Sequence, residues 1–326
     1  MYRIFASTVI GLYVGLVCAA ASAQQAYPNR PVRLVSGYAA GGTTSLIGRL
    51  IGQKLSEAWG QQFVFDNRPG GGTLIASEIV AKSAPDGYTL MLVDSALVIA
   101  PQLLKSQIDP LKDFTAIARI ATTDYVLLVN PSHPPNNLQD FLSYAKARRG
   151  KLNYASPAIG GAQHLNTELF NSVVGIETHH VPYKSAGPAL VALVAGEVDI
   201  YLSTIATGVP HVKTSRAKAL AVTGKRRSPL LPDVPTMEEA GISNLNLPRV
   251  GYGVVGPAGI PKPIVDKLAN EITRQSGQGE LRTTLINVGL EPSPGTPQEF
   301  SAALSAGVTT IGNVIGQLKK KGVKFD

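Results

Sequence analysis

The chain has 326 residues, 44% hydrophobic and 16% charged, with a formal net charge of +8. That is the composition of a globular protein and enough material for two domains of ordinary size. The basic residues are scattered apart from the tail "KKKGVK", read as a solvated face, so the charge argues against a nucleic-acid partner and for a tendency to gather small anions.

The first segment, "MYRIFASTVIGLYVGLVCAAASA", opens with Arg3, continues as an apolar run and ends in Ala21-Ser22-Ala23. This is the plan of a secretory signal, 1–23, cleaved after Ala23, and the apolar run is shorter than the roughly 20 residues of a membrane span. The single cysteine, Cys18, lies inside it, and Val17 before it is too bulky for a lipoprotein signal. The mature protein would hold no cysteine, which excludes a disulfide framework, a thiol nucleophile and a thiolate metal site. A periplasmic location is expected.

From residue 31 onward short apolar runs alternate with helical patterns, the signature of an α/β fold with mainly parallel sheets. Strands are predicted at "VRLVS", "QFVFD", "YTLMLVD", "YVLLVN", "LNYAS", "THHVP", "VDIYLS", "KALAVTG" and "YGVVG". Helices are predicted at Ser45 to Trp59, Leu74 to Lys82, Leu138 to Ala147, Gln163 to Val174, Pro188 to Ala195 and Lys262 to Arg274. The stretch "FTAIARIATTDYVLLVN" exceeds an ordinary strand and could run from one sheet into a second, and the proline-rich "PLLPDVP" is a return path. The expected lobes are therefore 24–124 with 232–326, and 125–231, the final helix packing on the second lobe.

Between the first strand and the first helix lies "GYAAGGTTS", where the turn exposes backbone N–H groups at a helix N-terminus, a site for an anion. The turns "DNRPGGGT" and "ASPAIGGAQHLNTELF" repeat the strand, glycine and helix order, the latter in the second lobe. Ligands of open α/β sheets bind beyond the carboxyl ends of strands, so two such turns suggest helix dipoles facing a shared cleft. Other motifs fail. "GYGVVG" fits the dinucleotide pattern, but the prolines of "PAGIPKP" forbid the helix that must follow. The five histidines show no metal spacing, and there is no G-x-S-x-G elbow. No metal and no cofactor are expected.

With "YPNRPVRLVSGYAAGG", "FDNRPGGG", "AKSAPDGYTLML", "KDFTAIARI", "GKLNYASPAIGGAQHLNTELF", "HVPYKSAGPALVALVAGEVDIYL", "KALAVTGKRRSPLLPDVPTMEEAG" and "GPAGIPKPIVDKLANEI", the chain resembles the periplasmic solute-binding proteins of tripartite tricarboxylate transporters, the Bug (Bordetella uptake gene) type. The resemblance implies a two-lobed periplasmic binding protein, a type II Venus flytrap, that closes on a small carboxylate and presents it to membrane permease subunits. It implies a non-enzymatic monomer. By position its ligand loops are 38–45, with Tyr38, Ala39, Ala40, Gly42, Thr43, Thr44 and Ser45, and 156–163, with Ser156, Gly160, Ala162 and Gln163, followed by His164. Ser95, Tyr183, Ser203, Thr204 and Arg249 complete the candidates.

Departures from the family pattern carry expectations of their own. Where many relatives have Asp, this chain has Ser45 and Ser203, which removes negative charge from the cleft and favours uncompensated carboxylates over cationic or amino-acid ligands. Where relatives often have Trp it has Gly251, and Arg249 could clamp a second carboxylate, which suggests a bulky, even aromatic, dicarboxylate of the phthalate type. A sensor subunit would use the same cleft. A secreted hydrolase built on Ser45 or Ser156 with His164 lacks an orienting acid.

Overall fold

The computed structural model describes residues 27–245 and 247–325. The expected signal, 1–23, lies outside them. A first sheet is built from β1 (Val32–Ser36), β2 (Phe63–Asn67), β3 (Thr89–Val93), β4 (Phe114–Thr123), β10 (Val250–Pro257) and β11 (Glu291–Gly295), in the order β11-β4-β10-β3-β1-β2. A second sheet is built from β5 (Tyr125–Val129), β6 (Leu152–Ser156), β7 (Thr178–Pro182), β8 (Ile200–Thr204) and β9 (Lys218–Val222), in the order β7-β6-β8-β5-β9. The long extended stretch is thus two strands. It breaks at Asp124, with β4 in one sheet and β5 in the other.

Around the first sheet lie α1 (Thr43–Trp59), α2 (Leu74–Ala81), α3 (Ala96–Leu103), α8 (Lys262–Gly277), α9 (Gly279–Asn287) and α10 (Pro297–Lys320). The second carries α4 (Leu138–Ala147), α5 (Ala162–Val174), α6 (Ala186–Ala195) and α7 (Ile205–Lys213). Alternation along β1 shows why helices cover both faces. Leu34 packs with Ile47, Ile51 and Leu55 of α1, spaced one turn apart, while Val35 packs with Ala76 and Val80 of α2. The same alternation splits β5, with Leu127 and Val129 in one cluster and Val126 and Leu128 in another.

Both sheets are mixed, not mainly parallel. β1 runs parallel to β2 and β3, and β6 parallel to β7 and β8. β10 is antiparallel to β3 and β4, β11 to β4, and β5 to β8 and β9. The parallel strands are those joined through a helix. β5 and β10, with which the chain enters each sheet from the other, run against them, a direction that strand-helix alternation does not reveal.

α10 begins with a capping box, Thr296 and Glu299, packs along α3 and β4, and reaches α5 at its far end. Beyond it the Phe325 ring meets the edge of His164, centroids 5.6 Å apart, and Lys321 donates to Ser172 Oγ at 3.3 Å.

Candidate functional site

The turn 37–42 after β1 leads directly into α1, whose N-cap is Gly42. No side chain caps this helix, and no acidic residue lies in its first turn. The same holds for α5, which starts after Gly161, for α6 after Ser185, and for α7 after Thr204. The first four N–H groups of a helix have no partner within it, so uncapped starts keep donors for another acceptor, although at α7 the first amide, Ile205 N, already donates to Asp124 O at 3.1 Å. α1 faces α5, α6 and α7 across the space between the two sheets.

A cavity of about 20 Å³ lies at this junction, lined by Tyr38, Gly42, Thr43, Thr44, Asp94 and Tyr252 from the first lobe and Pro157, Gln163, Ser185 and Ala186 from the second. Its size suits a water molecule, and a solute of several carbon atoms enters only if the lobes part. The contacts that parting breaks are specific. Ala39 N donates to Lys184 O at 2.9 Å, Ser185 Oγ donates to Ala40 O at 2.9 Å, and the Thr43 and Thr204 hydroxyls lie 2.8 Å apart. From Thr204 a hydroxyl chain continues to Thr207 at 2.8 Å and Ser203 at 3.0 Å.

The expected residues divide into three groups. Tyr38, Gly42, Thr43, Thr44 and Gln163 line the cavity. Ala39, Ala40 and Thr204 make the bonds across it. The others, Arg249 apart, support these from behind. Ser45 Oγ turns back to Ala39 O at 3.4 Å, and Asn67 Nδ2 reaches both Tyr38 O at 2.6 Å and Ser45 Oγ at 3.4 Å, fixing the first loop. Ser95 accepts from Gly251 N at 3.5 Å, a link from α3 to β10. Ala162 is the buried first residue of α5, and half-buried Tyr183 packs in the second-lobe cluster while its amide donates to Ser156 O at 2.8 Å.

Ser156, Gly160 and His164 form a lock behind the second loop. The Ser156 hydroxyl donates to Ala158 O at 3.0 Å, and His180 Nε2 lies 2.7 Å from Ser156 Oγ. His180 must then be the donor, which leaves its buried Nδ1 unprotonated, and that atom has no partner. Gly160 N donates to His164 Nδ1 at 3.1 Å, so His164 carries its proton on Nε2. The two rings stack 4.0 Å apart. Burial, with the neighbouring His180, lowers the pKa of His164 to about 3, and burial lowers that of His180 to about 4. A Ser156 whose proton is committed to a carbonyl, beside a histidine with no carboxylate on its far nitrogen, is not arranged as a nucleophile and base.

Two expectations need correction. Arg249 is outside the cavity lining. Its Nε lies 2.9 Å from Asp124 and its NH2 2.6 Å from Glu291, with 41% of the side chain exposed. The guanidinium is already engaged by the chain's own carboxylates, at the point where β4 gives way to β5, so it is not a free clamp for a ligand. Nor is the cleft free of acid. Asp94, at the end of β3, is 9% exposed and lines the cavity. It accepts from the Tyr38 hydroxyl at 3.2 Å and from Ala96 N at 2.9 Å. Burial pushes its pKa up to about 6, against the lowering effect of those donors.

Asp94, Ser185, Ala186 and Tyr252 were not among the expected residues, whereas Pro157 falls within the expected loop 156–163. A carboxylate closing the strand "YTLMLVD" and a serine just before a helix are both visible signals, since strand ends hold ligands in α/β sheets and serine favours the N-cap. Ser185 diverts its hydroxyl from the cap to the other lobe. Tyr252 sits in "GYGVVG", which reads as a strand and as a failed nucleotide motif, neither of which marks its ring as a cavity wall.

Residues 47–319 match the family described as tripartite tricarboxylate transporter family receptor. A UPF0065 protein of Bordetella pertussis is 33% identical over 307 residues, spanning 94% of this chain and 95% of the relative. Among solved structures, Rpa4515 of R. palustris, determined with adipate, superimposes with a TM-score of 0.87 at 34% identity, covering 90% of this chain and 98% of that one. MatC of Rhodopseudomonas palustris, with bound malate, gives 0.82 at 30% identity, covering 89% and 100%.

Proposed function

The chain belongs to the tripartite tricarboxylate transporter receptor family of periplasmic solute-binding proteins, and from that premise we propose that it captures a small di- or tricarboxylate between its lobes and delivers it to the membrane permease subunits of such a transporter. The cleaved leader 1–23 is the export signal in this proposal.

One observation carries the ligand class. Three helices, α1, α5 and α6, start without a side-chain cap and without a first-turn acid around one interlobe cavity. Each terminus contributes up to about 2 kcal/mol to a partly buried anion. Micromolar capture needs about 8 kcal/mol, so dipoles from several helices, hydroxyls such as Thr43, Thr44 and Ser185, and exclusion of water must act together. Only the closed arrangement brings α1 and the second-lobe helices to the same anion. The ligand therefore favours closure, and the closed form is what the permease would recognise. Adipate and malate in the two structural relatives fit this class.

A thermal-shift screen of the mature protein tests the proposal. A carboxylate at 100 times its dissociation constant should stabilise by about 2.7 kcal/mol. If sugars or organic cations raise the melting temperature and no carboxylate does, the proposal is wrong.

A further inference from the structure

We infer that Asp94 determines specificity within the cleft: the ligand atom facing it must be a hydrogen-bond donor, so the preferred carboxylates carry a hydroxyl or ammonium group, and a plain dicarboxylate is admitted only by placing a proton on Asp94. The inference rests on carboxylate capture as proposed above and adds what the same cavity demands of the rest of the ligand.

The position of Asp94 is the first ground. It shares the cavity wall with Gly42, Thr43 and Thr44, where α1 offers its amides, so an anion held there is close to a second carboxylate. Its surroundings are the second. Among the described residues no Lys, Arg or His lies within ion-pair distance of Asp94. The groups facing it are neutral: Tyr38 from the first loop, Tyr125 from β5, Tyr252 from β10, and Gln163 and Ser185 from the second lobe. Both hydrogen bonds from other residues, Tyr38 and Ala96, converge on Oδ1 and leave Oδ2 for the ligand.

A buried carboxylate without a cation is costly, and a second anion in the same water-excluded space raises that cost. Two remedies exist. The ligand supplies a donor, or solvent supplies one proton that binds Oδ2 with no other bond changed. In the closed arrangement burial raises the pKa of Asp94 to about 6, which brings the second remedy within reach of neutral pH.

Two ligand series separate these remedies: succinate, malate and aspartate, and adipate, 2-hydroxyadipate and 2-aminoadipate. Titration calorimetry of the mature protein at pH 5.5 and pH 8, in two buffers of different ionisation enthalpy, gives both affinity and proton uptake. At pH 8 the hydroxy or amino member should bind roughly tenfold or more tighter than its parent, and the parent's binding should take up about one proton and weaken about tenfold per pH unit. A hydroxyl preference alone identifies hydroxy acids, and an amino preference identifies amino diacids. Asp94→Asn, which keeps shape and removes charge, should abolish the parent's proton uptake and tighten its binding at pH 8, while weakening the amino member. The inference is overturned if the wild-type protein binds the plain diacid at pH 8 as tightly as its derivatives and without proton uptake. If no member of either series binds the wild type or Asp94→Asn, carboxylate capture itself fails, and the inference fails with it.

Discussion

Replacing Gly72 should prop the cleft open while leaving the fold intact. The turn at 70–73 has positive φ throughout, with Gly70, Gly71, Gly72 and Thr73 at 140°, 54°, 63° and 86°. Alanine at either Gly71 or Gly72 therefore carries the same left-handed strain, about 1–2 kcal/mol, and should lower the melting temperature by a few degrees. The two sites differ in what a methyl group meets. A Cβ on Gly72 would lie 2.3 Å from the carbonyl oxygen of Ile159 in the other lobe, whereas one on Gly71 meets nothing closer than 3.7 Å. Relieving the Gly72 clash requires the lobes to part by roughly 1 Å, since carbon and oxygen rest well beyond 3 Å. That displacement carries the interlobe bonds, now 2.8 to 2.9 Å, out of hydrogen-bonding range. Three such bonds at about 1 kcal/mol each sum to about 3 kcal/mol of lost closed-state stability, or roughly a 150-fold weaker dissociation constant. Calorimetric titration with adipate or malate, whichever binds, compares Gly72→Ala with Gly71→Ala, and small-angle scattering reports the radius of gyration of each with ligand. If the two variants bind alike, the Ile159 contact does not limit closure.

Three further changes test neighbouring claims. Arg249→Ala removes a half-exposed bridge between Asp124 and Glu291, worth about 0–1 kcal/mol, so the melting temperature should fall slightly and a diacid and its monoacid analogue should lose affinity equally; a loss confined to the diacid would reinstate the clamp. Asp94→Asn should raise the melting temperature at pH 7 and not at pH 4. The folded pKa of Asp94, about 6, exceeds the free value of about 3.9, so wild-type stability drains away as pH rises through that interval; equal melting at both values would refute the buried-charge assignment. His164 and His180 work in the opposite sense. Their folded pKa values, about 3 and about 4, lie below the free value near 6.5, so the unfolded chain binds more protons and stability falls as pH drops from about 6.5 towards 4. Thermal melts across that range should flatten in His180→Gln, which keeps a donor for Ser156, and an unchanged slope would absolve the pair.

What the sequence showed and what it hid follow from where each signal lies. β1, α1, β6 and α5 carry strong local periodicity, and the loops joining them advertise themselves through glycine, so Gly42, Thr43, Thr44 and Gln163 were legible as cavity residues. α3 was not, because "ALVIAPQL" is apolar on all sides and interrupted by Pro101, and β11 was not, because its "EPSPG" looks like a turn. Sheet direction was hidden for a different reason. Whether β4 and β5 run with or against their neighbours depends on pairings between distant segments such as Val250–Pro257 and Phe114–Thr123.

The site residues that escaped detection share one property: their roles exist only when the lobes meet. Ser185 reads locally as a helix cap, and its bond to Ala40 O is a fact of the second lobe closing on the first. Asp94 reads as a polar end to a buried strand. Its character as an uncompensated charge arises because Tyr38, Tyr125, Tyr252 and Gln163, brought from four separate elements, surround it with hydroxyls and an amide and bring no cation. Ser45 and Ser203 suggested a cleft emptied of negative charge because they occupy familiar positions in the pattern. The charge is instead at the end of β3, on the wall the ligand must share with α1, and this location makes the donor content of the ligand, beyond its carboxylates, the variable on which selectivity turns.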